Sequence, residues 1–483
     1  MGDRRLRQLT QLDVQTNWHH CFEDLSIAQA TQPERWKEWA IAALNSRHHV
    51  AWTKRRVLWL GQTLTIPQAL EGYFLEGLVL RLALVWWAAE AQVFVNGKLV
   101  QEGDIFDAST RILLSPSARS GEQIHLALRL VSPGHDDGAL VKSLCVYENS
   151  PDSLIPEPGF VADELAVLQR YLTSFAPEKL NSVATAVAQL DWAVLQSQST
   201  TSRLAFDQSL QALRQQLQPL GDWLNQRQIQ LVGHAHLDLA WLWTVSETWE
   251  AAERTFKSVL LLQQDFPELT FCHSSPALFA WIEQHRPELF AAIQVKVAAG
   301  TWEIAAGLWV EPELNLVSGE SIVRQVLYGQ HYVQEKFGKF SAIAWLPDSF
   351  GFPWQLPQIL KGGGIEYFVT QKLRWNDTTE FLHELFWWRS PDGSEILSFM
   401  SPRIGEGIDP LKISEYACTW EAKTHIQQAL WLPGVGDHGG GPTRDMLETA
   451  QRWQRSSLFP QLTFSTVLGL SAIAQSGGQC PPL

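Results

Sequence analysis

From Gln228 onward, short apolar runs alternate with segments of helical period, and this alternation constrains the fold more than any other feature of the chain. Runs at 229–233, 269–273, 303–310 and 341–346 read as strands. They lead into helix patterns at 242–264, 276–293, 319–336 and 354–361. A run at 366–371 follows, then a hairpin of 384–390 and 394–400 turning at Asp392-Gly393, a strand at 428–432 and a helix at 443–455. A strand that returns through a helix lies parallel to its predecessor, so the pattern predicts an α/β domain with a largely parallel sheet over 228–483. In such sheets ligands bind beyond the carboxyl ends of the strands.

Polar residues gather at those ends. The run Ile229 to Val232 breaks at Gly233 and continues as His234-Ala235-His236-Leu237-Asp238. His-x-His-x-Asp offers two imidazoles and a carboxylate, ligands that suit zinc, although helix-capping polar residues give the same pattern. Glu311 and Glu313 follow the third strand, Asp348 the fourth, Gln371 and Lys372 the fifth, Asp437 and His438 the last. Two histidines and two aspartates converging there would make a four-ligand metal site. His234 reads as a packed histidine rather than a ligand. Glu311 and Glu313 read equally well as helix-entry caps and as site groups. His273, His285 and His331 read as packing or surface residues.

Upstream the period changes. Residues 1–50 read as a helical segment, with Trp36, Trp39, Ile41 and Leu44 on one face. Over 51–150 the period is two, with strands at 78–87, 91–95, 98–102, 110–114 and 123–131 and a hairpin turn at Asn96-Gly97. This predicts a jelly-roll-like β-sandwich, read as a scaffold. A Pro-containing stretch, Pro151 to Pro158, opens a helical linker over 151–227. The fold class is therefore multidomain: a β-sandwich with a helical connector, then the α/β domain.

A net charge of −14, from 37 basic and 51 acidic residues, argues against nucleic-acid and anionic-membrane partners. No apolar run suits a transmembrane helix, and no apolar h-region follows the N-terminal basic residues. Five scattered cysteines fit a reducing cytoplasm. There are 23 tryptophans, several beside the polar motifs, and flat aromatic faces suit sugar rings.

Four motifs now stand in order: His-x-His-x-Asp with Trp241 three residues on, Gly319-Glu320-Ser321-Ile322-Val323-Arg324-Gln325, Trp345-Leu346-Pro347-Asp348-Ser349-Phe350-Gly351, and Thr370 to Asn376. A fifth, Gly436-Asp437-His438-Gly439-Gly440-Gly441-Pro442-Thr443, closes the series. The whole resembles glycoside hydrolase family 38, the α-mannosidases, in its cytosolic and bacterial branch. The resemblance is strong over about 228–483 and looser upstream. It implies a metal-dependent retaining α-mannosidase that hydrolyses terminal α-mannosides of oligosaccharides, with Zn2+ or Co2+ as cofactor. Carried over residue by residue, His236 and Asp238 match metal ligands. Asp348 matches the nucleophile, which also touches the metal. His438 matches the last ligand, with Asp437 its rival. Trp241, Phe350 and Lys372 match substrate contacts.

Mannose carries a cis pair of 2- and 3-hydroxyls that one ion can chelate, and a carboxylate beside a cation stays ionised and nucleophilic. The family's chains are far longer, and their Glu-Leu-Tyr-Leu-Glu-x-His-Arg-Gly stretch is missing here. The resemblance therefore implies that the general acid/base lies beyond Leu483. The chain would then be impaired alone, or half of a split enzyme completed by a downstream-encoded part, with a homo-oligomeric full-length form. A catalytically silent mannoside-binding remnant is the alternative. A metal-dependent deacetylase also places Asp and His at strand ends, but does not account for Pro-Asp-Ser-Phe-Gly.

Overall fold

The computed structural model describes residues 2–54, 56–105, 107–150, 153, 155–197, 199–436 and 439–469. The chain divides into two compact units, Met1–Gly221 and Asp222–Leu483.

The first unit is rich in sheet. Its larger sheet has the order Lys98–Gly103, Glu90–Val95, Gln123–Val131, Val57–Thr65, His19–Cys21 and Ala40–Ile41, all antiparallel. Its second sheet runs Gln11–Asp13, Gly138–Glu148, Val79–Trp87 and Ser109–Ser115, with Val50–Trp52 also on Gly138–Glu148. Along Gln123–Val131, Ile124, Leu126, Leu128 and Leu130 are fully buried, as the period of two requires. Asn96 and Gly97 both have positive φ, 49° and 77°, the geometry that matches a two-residue turn to strand twist.

The expectation of a helical segment over 1–50 is corrected. Apart from Gly2–Gln8 and three short turns of helix, Gln15–Asn17, Ile27–Ala30 and Pro33–Trp36, this stretch supplies four strands to the two sheets. The spacing from Trp36 to Leu44 imitates a helix face, but Trp36 ends its turn with its indole donating to the Ala30 carbonyl at 2.8 Å. Ile41 instead pairs across to His19 in an exposed edge strand. The stretch read as a linker forms the helices Pro158–Phe175, Leu180–Ala188 and Thr200–Leu224. Up to Gly221 it belongs to the first compact unit rather than standing between two.

The second unit is built on the strand pair Gln228–Leu231 and Gly233–His234, one residue apart. On one side lies Gln428–Trp431, parallel, and its pairing continues through Val232 N–H to Trp431 O and His234 N–H to Pro433 O. On the other side Gln461–Phe464 pairs with the first half and Phe271–His273 with the second, both parallel. Trp302–Ile304 extends this side. A further sheet has Ile343–Trp345, Tyr367–Thr370 and Glu395–Met400 in parallel, with Leu385–Arg389 antiparallel at its edge. A bridge between Ala306 and Ala344 joins the two regions.

The second unit differs from the sequence pattern in two places, and the first has a local cause. The helix expected over 276–293 is two helices, Pro276–His285 and Pro287–Ala298. Pro287 disfavours helical backbone at Arg286, whose φ and ψ are −140° and 60°. The helix Pro410–Thr424 and the strand Gln461–Phe464 have no counterpart in the sequence reading. Among the described residues no helix is long and apolar enough to cross a membrane.

Candidate metal and catalytic site

His236 and Asp238 stand just past the strand Gly233–His234, on the loop that leads to the helix Val245–Asp265. Thr248, fully buried in the first turns of that helix, fixes the loop. Its hydroxyl accepts from the Ala240 N–H at 3.2 Å and from the Trp243 indole at 3.1 Å, and lies 3.3 Å from the Asp238 carbonyl. The Trp243 indole also donates to that carbonyl. Thr244 and Glu247 cap the helix reciprocally, so its start is set by local sequence. Ala240 takes φ +62°, a left-handed conformation that turns the chain and leaves Trp241 exposed.

Asp348 arrives from the strand Ile343–Trp345 through Leu346-Pro347. Nε2 of His236 lies 3.2 Å from Oδ1 of Asp238. One ligand atom from each of His236, Asp238 and Asp348 falls within 4.8 Å of the others, a spacing that fits one metal ion. His236 is buried, and the two carboxylates are half-buried. Asp437 and His438, expected as the last ligand, lie outside the described residues. Their neighbours are placed: Gly439 donates to the His236 carbonyl at 3.3 Å. A Cβ on Gly434 would come within 1.8 Å of the His234 carbonyl oxygen, so this close approach requires glycine.

The charges around His236 are lopsided. Burial alone would depress its imidazole. The hydrogen bond with Asp238 and the charges of Glu311, Asp238 and Asp348 outweigh burial and lift it to about 9. Burial, then the nearby His236, push His234 down to about 3. His234 is packed against Trp345, with Nδ1 at 3.3 Å from the Cys272 carbonyl. Loss of solvent raises Glu311 to about 7, against the pull of His236 and of the Asp348 and Ser349 amides.

Lys372, almost fully buried, sets its ammonium against Asp348. The same ammonium sits 3.9 Å from the Phe350 ring centroid and 4.2 Å from that of Trp375. Phe350 and Trp375 are both exposed, so this aromatic pair presents open faces beside the carboxylates. Two contributors were not assigned from sequence. Trp375 had a signal, its place three residues after Lys372. Glu311 stood open between cap and site group, and it accepts hydrogen bonds from the Asp348 turn.

The family model and the sequence relatives agree with one another. Residues 226–471 match the model of the glycosyl hydrolases family 38 N-terminal domain. Over 244 residues, half of this chain, the sequence is 37% identical to α-mannosidase G of Dictyostelium discoideum. Over 224 residues, 46% of this chain, it is 38% identical to an α-mannosidase of Saccharomyces cerevisiae. These matches span only 22% and 21% of those relatives. Among solved structures, an α-mannosidase from Enterococcus faecalis aligns over 53% of this chain and 30% of its own, at 19% identity and a TM-score of 0.45. With a domain match across half its length, this chain belongs to glycosyl hydrolase family 38.

Proposed function

We propose that the chain carries the metal-binding and nucleophile-bearing part of a retaining α-mannosidase that acts on terminal α-mannosides. The observation that supports this most is the meeting of His236, Asp238 and Asp348 within 4.8 Å, beside exposed aromatic faces. The donor set fits a divalent ion. One imidazole and two carboxylates are borderline-to-hard ligands, and the surplus negative charge that lifts His236 is what a cation would neutralise. His236, Asp238 and Asp348 would hold the ion, with His438, or its rival Asp437, as a further ligand. Zn2+ is the proposed native metal and Co2+ a workable substitute. When bound, the metal supplies a positive centre that can chelate the cis 2,3-diol of mannose and orient the ring.

The chain's own residues do the rest. Asp348, whose backbone is fixed by the Glu311 carboxylate, is presented to attack an anomeric carbon and leave a glycosyl ester, so that hydrolysis proceeds with retention. Lys372 holds one oxygen of Asp348 and thereby aims the other. Trp241 and Phe350 offer apolar faces to the sugar. The two sheets of the first unit are proposed to pack as a jelly-roll-like sandwich with a scaffolding role. A cytoplasmic setting is proposed from the cysteines, which are scattered along the chain, the four described ones forming no disulfide.

The test is hydrolysis of an aryl α-mannoside with an acidic phenol, which needs little protonation of the leaving oxygen. Activity should depend on added Zn2+ or Co2+ and disappear in Asp348→Asn. Metal-independent hydrolysis that survives Asp348→Asn would refute the reading. Binding of mannose without any turnover would favour the mannoside-binding alternative.

A further inference from the structure

One short segment, Glu311 to Asn315, grips the turn that carries Asp348 at three successive positions and packs beside a fourth. The Asp348 N–H donates to Oε1 of Glu311 at 2.6 Å, and the Ser349 N–H donates to the same oxygen at 2.7 Å. The Ser349 hydroxyl lies 3.2 Å from that oxygen and donates to the Pro312 carbonyl at 2.9 Å. The Phe350 N–H donates to Oε1 of Glu313 at 3.2 Å. Gly351 follows with φ +132°, and a Cβ there would come within 2.2 Å of the Asn315 amide nitrogen. Asn315 thus fills the space beside the fourth position.

The segment is itself anchored. Gln325, on the helix Gly319–Phe337, accepts from the Trp309 N–H through its backbone carbonyl at 2.9 Å and from the Val310 N–H through its side chain at 3.0 Å. The line of support therefore runs from that helix, through 309–313, to the backbone of Asp348 and Phe350.

Three consecutive amides pointing at two carboxylates hold the backbone firmly, because charge-assisted bonds are strong and offset the water each carboxylate gives up to accept them. A catalytic carboxylate needs such placement: small displacements of a reacting group cost large factors in rate. We infer that Glu311 is a positioning residue that fixes the Asp348 carboxylate through the backbone of its turn, with Glu313 doing the same for Phe350. Neither touches the substrate. Glu311 is not among the three residues whose ligand atoms fall within 4.8 Å of one another, and its Oε1 is taken up by the amides of the turn. This inference deepens the α-mannosidase reading and rests on it for the purpose of the device, though not for its existence.

The test combines two readouts on the full chain. Residue-resolved hydrogen exchange is measured without metal for wild type, Glu311→Ala, Glu311→Gln and Glu313→Ala. Visible absorption of added Co2+ then reports the ligand geometry. Glu311→Ala should speed exchange at Asp348 and Ser349 at least tenfold, with exchange elsewhere unchanged, and should alter the Co2+ bands. Glu311→Gln keeps an acceptor oxygen and should restore both. Glu313→Ala, whose removal touches one half-exposed carboxylate, should speed exchange at Phe350 alone. Should Glu311→Ala fail to fold, Glu311→Asp, which keeps the charge but draws the carboxylate back from the turn, is read in its place and should likewise speed exchange at Asp348 and Ser349.

Wild-type exchange at 348–350 in the alanine variants would overturn the inference. So would Co2+ bands that are identical in wild type and Glu311→Ala. If wild type itself shows no Co2+ bands, the metal reading has failed, while the exchange comparison still decides whether the grip exists.

Discussion

Ala240 adopts φ +62°, where a Cβ costs roughly 1–2 kcal/mol, and it lies between a ligand candidate and an exposed tryptophan. Ala240→Gly removes that strain but gives the unfolded chain more freedom, worth about 0.4–1 kcal/mol. The net expectation is a stabilisation of about 0.5–1 kcal/mol, read as a higher urea midpoint at constant slope. Gly434→Ala should do the reverse, because its Cβ would overlap the His234 carbonyl; a loss of at least about 2 kcal/mol is expected. A midpoint within experimental error of wild type would contradict it. The strand-end pattern singled out His236, Asp238 and Asp348 as candidates, and the folded chain brings them within 4.8 Å of one another. Glu311 could not be decided, because a carboxylate that accepts backbone amides looks the same in sequence as a helix cap. Lys372 was read as a substrate contact, and only the folded chain shows its ammonium against Asp348.

At the scale of the elements, the helix Val245–Asp265 carries the best-defined local signal, Thr244 and Glu247 in a capping box. Thr244→Ala should cost about 1 kcal/mol and loosen the loop that holds Asp238, lowering the chain's stability in urea and its affinity for Co2+ together. An unchanged affinity with lowered stability would separate the cap from the site. The strands and helices of strong period were legible because burial of one face, or of both in the parallel strands, writes a repeat into their own residues, whatever partner each later pairs with. What escaped depends on distant contacts. The strand Gln461–Phe464 is four residues long and is defined by pairing with Gln228–Leu231. The strands His19–Cys21 and Ala40–Ile41 exist only as additions to a sheet formed later in the chain. The helix Pro410–Thr424 does have an Asp409 cap and Pro410 at its start, a signal that deserved more weight than its irregular apolar spacing.

At the scale of the whole chain, the first unit holds a buried carboxyl whose protonation is tied to folding. Burial raises Asp207 to about 6, even though the Tyr73 hydroxyl donates to it at 2.8 Å and Arg203 is near. A raised carboxyl binds its proton more tightly when folded, so its stabilising share is full below the unfolded value of about 4 and is lost as pH rises through about 6. Asp207→Asn keeps an acceptor for Tyr73 without the charge. The stability difference between this variant and wild type should therefore move in favour of asparagine between pH 4.5 and 7.5, by at most about 3 kcal/mol. A difference independent of pH would contradict the assignment. The central claim, that His236, Asp238 and Asp348 form a metal site in a family 38 domain, has a more direct test. Metal analysis of the purified chain, before and after incubation with Zn2+ and dialysis, should find close to one divalent ion per chain, and His236→Ala should carry none while keeping wild-type secondary structure. A wild-type chain that binds no metal, or a folded His236→Ala that binds it equally well, would contradict the account.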